Sequence, residues 1–105
     1  ADFVFDARTL PNPYWEPTLQ ALTGRDGPVV AFLEASPQVH RMTDDLVRFL
    51  DGRIPDYEAA NRGYLTVAIG CTGGQHRSVY LVERLAAHFR QRYPQLLVRH
   101  NSLPK

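Results

Sequence analysis

The strongest helical signal lies in the middle of the chain. From Val39, apolar residues follow at Met42, Leu46, Phe49 and Leu50, at steps of 3, 4, 3 and 1, which gathers them on one helix face. Ser36-Pro37 stands in front of this run, a capping hydroxyl followed by a proline suited to the first turn. Gly52 and Pro55 interrupt it, so the helix is expected to bend or stop near them. A second run of the same period, Val79, Val82, Ala86 and Phe89, predicts a helix over 76–92, ended by Tyr93-Pro94. Between the two helices, residues 64–71 are apolar almost throughout. That pattern suits a strand buried on both faces of a parallel sheet.

Shorter signals flank these. Phe3-Val4-Phe5 is β-prone and ends at Asp6-Ala7-Arg8. Leu10-Pro11-Asn12-Pro13 is loop chemistry, because each proline fixes φ and lacks an amide donor. Residues 15–22 suit a short helix closed by Gly24. Residues 29–33 suit either a strand or a helix, and Pro28 behind a capping Asp26 tips them towards a short helix. Leu96-Leu97-Val98 suits a returning strand, which gives a strand–turn–helix–strand unit with its strands parallel and its crossover right-handed. The fold class expected is α/β: a small, mostly parallel sheet flanked by helices, with a ligand loop at a strand-to-helix turn.

A length of 105 residues, 44% hydrophobic and 22% charged, describes one ordinary globular domain over 1–105. A single cysteine excludes an internal disulfide and suits a reducing compartment. No apolar run approaches a membrane span and no secretory signal is visible, so a cytoplasmic protein without a membrane partner is expected. The chain opens without a methionine, on a strand, which suggests a piece of a longer protein. The net charge of +1 hides an asymmetry: residues 1–61 carry −5 and residues 62–105 carry +6. So basic a half favours an anionic ligand, nucleic acid or phosphorylated metabolite, unless an acidic neighbour in the same fold absorbs it.

The informative segment is Gly70-Cys71-Thr72-Gly73-Gly74-Gln75-His76-Arg77-Ser78. It leads from the best strand into a helix N-terminus, where unpaired amides and roughly half a positive charge gather. Gly73 and Gly74 let the backbone curl into an anion nest. Thr72 and Ser78 offer hydroxyls, Arg77 a two-pronged phosphate grip, and His76 a further donor. The parts converge on an oxyanion, above all phosphate. The bland alternative is a glycine turn with an exposed Arg and His. The spacing is neither a Walker loop, which needs Lys, nor a Rossmann fingerprint.

Cys71-x-x-Gly74-x-x-Arg77-Ser78 also resembles the signature of cysteine-dependent phosphatases. A helix N-terminus and a nearby Arg favour the thiolate, which is the nucleophile in such chemistry. Gly70 stands where that family has His, and only 12–17 offers a loose stand-in for the family's acid loop. A structural cysteine at a strand end is the plainer reading.

A longer resemblance covers nearly the whole chain. The segment 64–80, Phe3-Val4-Phe5-Asp6-Ala7-Arg8-x-Leu10-Pro11-Asn12-Pro13-Tyr14-Trp15, Leu22-Thr23-Gly24-x-Asp26, Val39-His40 and Asn61-Arg62 together resemble the C-terminal domain of the RapZ/YvcJ family. The resemblance implies an α/β domain that follows an N-terminal P-loop domain. It implies an RNA-binding adaptor in amino-sugar control that senses glucosamine-6-phosphate, recognises small regulatory RNA and forms homo-oligomers. No cofactor is expected in this domain, nucleotide belonging to the N-terminal one. The family's Lys/Arg-rich tail is thin here, where the chain ends Arg99-His100-Asn101-Ser102-Leu103-Pro104-Lys105. That departure weakens RNA binding more than phosphosugar binding.

The candidate ligand set is therefore Asp6, Arg8, Asn12, His40, Cys71, Thr72, Gly73, Gly74, His76, Arg77 and Ser78. Asp6 and Asn12 could hydrogen-bond sugar hydroxyls or an amino group, and Arg8 could favour phosphate. As an alternative, Asp6 and Arg8 form a surface pair and Asn12 a turn. His40 lies one position off the apolar stripe and, without the resemblance, reads as a surface residue. Arg84, Arg90, Arg92 and Arg99 are the RNA candidates, the first three as a stripe on the last helix. His88 and His100 read as solvated. Tyr14 and Trp15 could stack on a base, but Trp15 is expected to plug the core. No metal-site spacing occurs. The expected function is a non-catalytic phosphosugar sensor and RNA-binding adaptor. The alternatives are a cysteine phosphatase and a bare oligomerisation module.

Overall fold

The computed structural model describes residues 1–61, 64–98 and 100. Strand β1 (Phe3–Asp6) pairs in parallel with β2 (Val67–Gly70), in the register Phe3↔Val67 to Asp6↔Gly70. The crossover between them holds a single 3-10 turn (Pro13–Trp15), helix α1 (Gly27–Glu34) and helix α2 (Pro37–Ala59). Helix α3 (Arg77–Phe89) follows β2 directly. The α/β class and the strand-to-helix turn stand as expected.

In β1, alternation sorts the side chains. Phe3 and Phe5 are half-buried and meet Phe49 of α2 edge-on, at centroid distances of 5.1 and 5.8 Å. Val4, on the other face, is 73% exposed. The main core lies among the helices. Val29 and Leu33 of α1, Val39, Leu46 and Leu50 of α2, and Leu81, Leu85 and Phe89 of α3 are buried. Each such aliphatic side chain contributes about 1.5–3 kcal/mol relative to exposure.

Several expectations are corrected. Residues 15–22 form no helix. Glu16, before Pro17, sits in the extended region, and the segment continues as i→i+3 turns through Leu19 N–H to Glu16 O and Leu22 N–H to Leu19 O. Helix α2 does not stop at Gly52 or Pro55 but runs on to Ala59. The proline removes one backbone bond, while Tyr57 keeps the helix packed beyond it, against Phe3 at 5.7 Å. Asn61, at φ 59, then turns the chain out of the helix. Strand β2 is shorter than 64–71 and only half-buried, because one face of the two-stranded sheet has no helix over it. Leu96-Leu97-Val98 forms no strand, and Leu97 is 83% exposed. The partner of β2 is β1. Trp15 does not plug the core and is 77% exposed. Asp26 and Ser36 hold the N-cap positions of α1 and α2 but donate or accept no side-chain cap bond there. Instead Asp26 Oδ2 accepts from Thr23 N–H at 2.7 Å.

Candidate functional site

The carboxyl end of the parallel pair brings two loops together. Asp6 lies across from Gly70, and Ala7 N–H donates to Gly70 O at 2.7 Å, so the loop after β1 starts beside the loop after β2. Ligands of open α/β sheets bind at this end.

In the second loop, Gly73 (φ 78) and Gly74 (φ 62) both take left-handed backbone, which an L side chain resists. A Cβ at Gly73 would meet nothing within 4 Å, so conformation alone demands glycine there and open space lies above it. Thr72 is exposed as well. The loop curls around Cys71. Its Sγ accepts from Ser78 N–H at 3.3 Å and lies 3.3 Å from Ser78 Oγ. Partial burial pushes the thiol pKa up. The Ser78 hydroxyl, the Ser78 and Gly74 amides and the Arg77 charge outweigh that and hold it below its ordinary value.

Arg77 is 3% exposed. Its Nη1 donates to Arg8 O at 2.8 Å and Leu10 O at 3.0 Å, which ties the β1 loop to the start of α3. Among the described residues no carboxylate lies within ion-pair distance of it. Its charge is felt by the Asp6 carboxylate and the Cys71 thiol. Nearby, Arg8 grips Asp6 through Nε and Nη2, at 3.0 and 2.8 Å, and its amide donates to the same carboxylate at 2.9 Å. The Arg8 side chain first, then its amide and the Arg77 charge, hold the Asp6 carboxyl below its ordinary pKa.

The structure thus gathers Asp6, Arg8, Cys71, Thr72, Gly73, Gly74, Arg77 and Ser78. It gives other candidates local work. Asn12 Oδ1 accepts from Tyr14 N–H at 3.1 Å and caps the 3-10 turn. His40 is exposed, with Nε2 2.6 Å from Glu34 O at the α1–α2 corner. His76 is buried, with Nε2 2.9 Å from Leu19 O. Arg84 is paired with Glu34 at 2.9 Å and Tyr80 Oη at 2.8 Å. Arg90 and Arg92 are exposed and lie beyond the end of α3, whereas Arg84 lies within it. Arg99 lies outside the described residues. His88 is exposed near Asp51, but His100 is not solvated: its Nε2 lies 2.6 Å from Glu83 Oε2 and its side chain is 9% exposed.

Two residues that shape the site carry no titratable group and so escaped the sequence reading. Gln75 Nε2 donates to Gln20 O and Leu22 O at 2.6 and 2.7 Å, and Gln75 O accepts from Gly24 N–H. Gly24 has no room for a Cβ, which would sit 2.3 Å from His76 O and 2.5 Å from Tyr80 N. The 19–24 segment is thereby seated against the start of α3. The Thr-Gly-x-Asp sequence around Gly24 was the available signal.

The family model for the RapZ C-terminal domain matches residues 1–104. A nucleotide-binding protein of Methylobacillus flagellatus is 62% identical over 103 residues, covering 98% of this chain and 37% of that protein. Proteins of the same name from Chromohalobacter salexigens and Marinobacter nauticus are 59% and 52% identical, over 98% and 99% of this chain and 35% of each relative. The chain therefore spans about a third of the length of these relatives.

Proposed function

The chain belongs to the RapZ C-terminal domain family, and from that premise we propose that it is a non-catalytic sensor domain. It takes the phosphate of an amino-sugar phosphate, glucosamine-6-phosphate by family resemblance, into the 71–78 loop. The observation that carries this reading is the Arg77 guanidinium, buried with no ion-pair partner among the described residues, beside two left-handed glycines and open space. Asp6 and Arg8, at the rim, supply a carboxylate for an amino group and a cation for phosphate. RNA contact through the basic C-terminal part, and self-association, complete the adaptor role that the family resemblance suggests. Nucleotide binding, which the relatives' name states, is assigned to the part of their length outside this chain. The sequence here lacks Walker spacing.

Parallel NMR titrations with glucosamine-6-phosphate, glucosamine and inorganic phosphate test the reading. The 71–78 amides should move with both phosphates, further with the sugar phosphate, and not with glucosamine. Unmoved loop amides in all three would sink it.

The phosphatase reading is favoured by one observation, the depressed thiol pKa of Cys71. Against it stands the carboxylate that the structure places beside the loop. Asp6 is held ionised by Arg8, the wrong protonation state for a leaving-group acid. The chain is expected to release no phosphate from an aryl phosphate ester. Turnover that Cys71→Ser abolishes would restore the enzyme reading.

A further inference from the structure

Apart from the 71–78 loop, a cavity of about 280 Å³ opens where the turn at Gly24-Arg25 meets helices α1 and α3. An added Cβ at Gly24 would lie 2.5 Å from Tyr80 N, and Arg25 N–H donates to Thr23 Oγ1 at 3.2 Å. The backbone that carries Arg25 is thereby anchored at the cavity edge. Glu83 and Arg84 come from α3 and Glu34 from α1, while Val30 and Ala87 add apolar surface. The charges here are only half used. Glu34 Oε2 accepts from Arg84 Nη1 at 2.9 Å and from the Tyr80 hydroxyl at 3.1 Å. Glu83 Oε2 lies 2.6 Å from His100 Nε2. The second oxygen of each carboxylate, and the whole Arg25 guanidinium, have no hydrogen-bond or ion-pair partner among the described residues.

We propose that this cavity is a second binding site, for a free α-amino acid with an aliphatic side chain. The ligand carboxylate pairs with Arg25, and its ammonium pairs with the unused oxygens of Glu34 and Glu83. Its side chain covers Val30 and Ala87. The mixed charge selects the zwitterion. A dicarboxylate would bring a second negative group against Glu34 and Glu83, and a diamine would leave Arg25 unmatched. The volume falls just below the roughly 300 Å³ at which sites for drug-sized ligands begin, which suits a ligand of few heavy atoms. The lining carboxylates are about 40% exposed, so each ion pair is weak and the dissociation constant is expected near about 1 mM. This site is independent of the phosphate reading of the 71–78 loop.

NMR titration of the 105-residue chain in phosphate-free buffer tests the proposal, with L-leucine, L-leucinamide and N-acetyl-L-leucine in parallel. The amides of Arg25, Glu83, Arg84 and Ala87 should move with leucine, and those of Thr72 and Gly73 should not. Leucinamide keeps only the positive group and N-acetyl-leucine only the negative one. Each should bind about tenfold more weakly than leucine or worse, having lost one charge-assisted contact. Arg25→Gln removes a side chain that holds nothing else in place, so its thermal midpoint should match the parent while leucine affinity falls about tenfold. Silent amides at leucine well above the expected constant would overturn the proposal. So would either blocked compound binding as well as leucine, or an unchanged leucine affinity in Arg25→Gln.

Discussion

Arg77 Nη1 donates to the Arg8 and Leu10 carbonyls, and the proposed phosphate contact would call on the rest of the fork. Arg77→Lys separates the two, since an ammonium keeps the charge but cannot serve both sides at once. It should weaken inorganic phosphate binding by about 1.5–3 kcal/mol, roughly 10- to 150-fold, the range for a charge-assisted contact. Calorimetry with phosphate checks this, and parent-like affinity in the variant would remove Arg77 from the site. The Asp6–Arg8 pair makes a separate claim. The Asp6 carboxyl is held below its ordinary value of 3.8, chiefly by the Arg8 side chain. A depressed folded value stabilises fully above the unfolded one and is lost as pH falls through the folded one. Asp6→Asn should therefore lower the urea midpoint at pH 7. The gap to the parent should shrink as pH drops below 3.8. The pair is exposed, so the gap will be small; a gap independent of pH would show that the ion pair contributes nothing.

At the scale of elements, two glycines make opposite predictions. Gly24 lies against the backbone of α3, and the Cβ of Gly24→Ala would overlap His76 O and Tyr80 N, neither of which is a flexible side-chain end. Overpacking of this kind costs typically about 1–3 kcal/mol and occasionally more. Gly52 lies inside α2 with nothing within 4 Å of an added Cβ, so Gly52→Ala should stabilise by about 0.5–1 kcal/mol. Thermal unfolding of the two variants should move the midpoint in opposite directions. The same contrast explains what the sequence made legible. The 3.6-residue pattern located α2 and α3, because a helix face is set by residues close in sequence. The glycine pair located the loop, because left-handed backbone leaves a mark in composition. The strand pairing was misread. Which strand lies beside β2 depends on a partner 64 residues away, and apolar 96–98 looked as good as 3–5. Pro55 was over-weighted, since one lost backbone bond does not end a helix whose far turn still packs on Phe3. His76 and Asn12 each have a backbone partner that only the fold reveals, Leu19 O for the one and Tyr14 N–H for the other.

For the whole molecule, the charge asymmetry is partly spent inside the fold. Acidic residues of the first half reach α3 and its end: Glu34 takes Arg84, Asp51 lies 3.5 Å from His88 Nε2, and Glu58 accepts from the Tyr93 hydroxyl. Among the described residues, Arg84 is therefore not a bare basic charge. Arg90 and Arg92 stay exposed at the end of α3 opposite the 71–78 loop. A helix of 13 residues separates them by about 18 Å at 1.5 Å per residue. RNA contacts at Arg90 and Arg92 would therefore be separate from those of a phosphate in the 71–78 loop. Binding of a single-stranded RNA should thus be weak and steeply salt-dependent, with a slope of log affinity on log salt of roughly −2 to −4 for a few phosphate contacts. Arg90→Ala and Arg92→Ala together should flatten that slope by about 1.4, at 0.7 per single-strand contact. Arg84→Ala should leave the slope alone, because Glu34 already neutralises Arg84. Glucosamine-6-phosphate should not displace the RNA, since the two sites lie at opposite ends of one helix. Fluorescence anisotropy across a salt series measures all three. Displacement by the sugar phosphate, together with an unchanged slope in the double variant, would move the RNA to the loop end of α3 and make ligand and RNA rivals for Arg77.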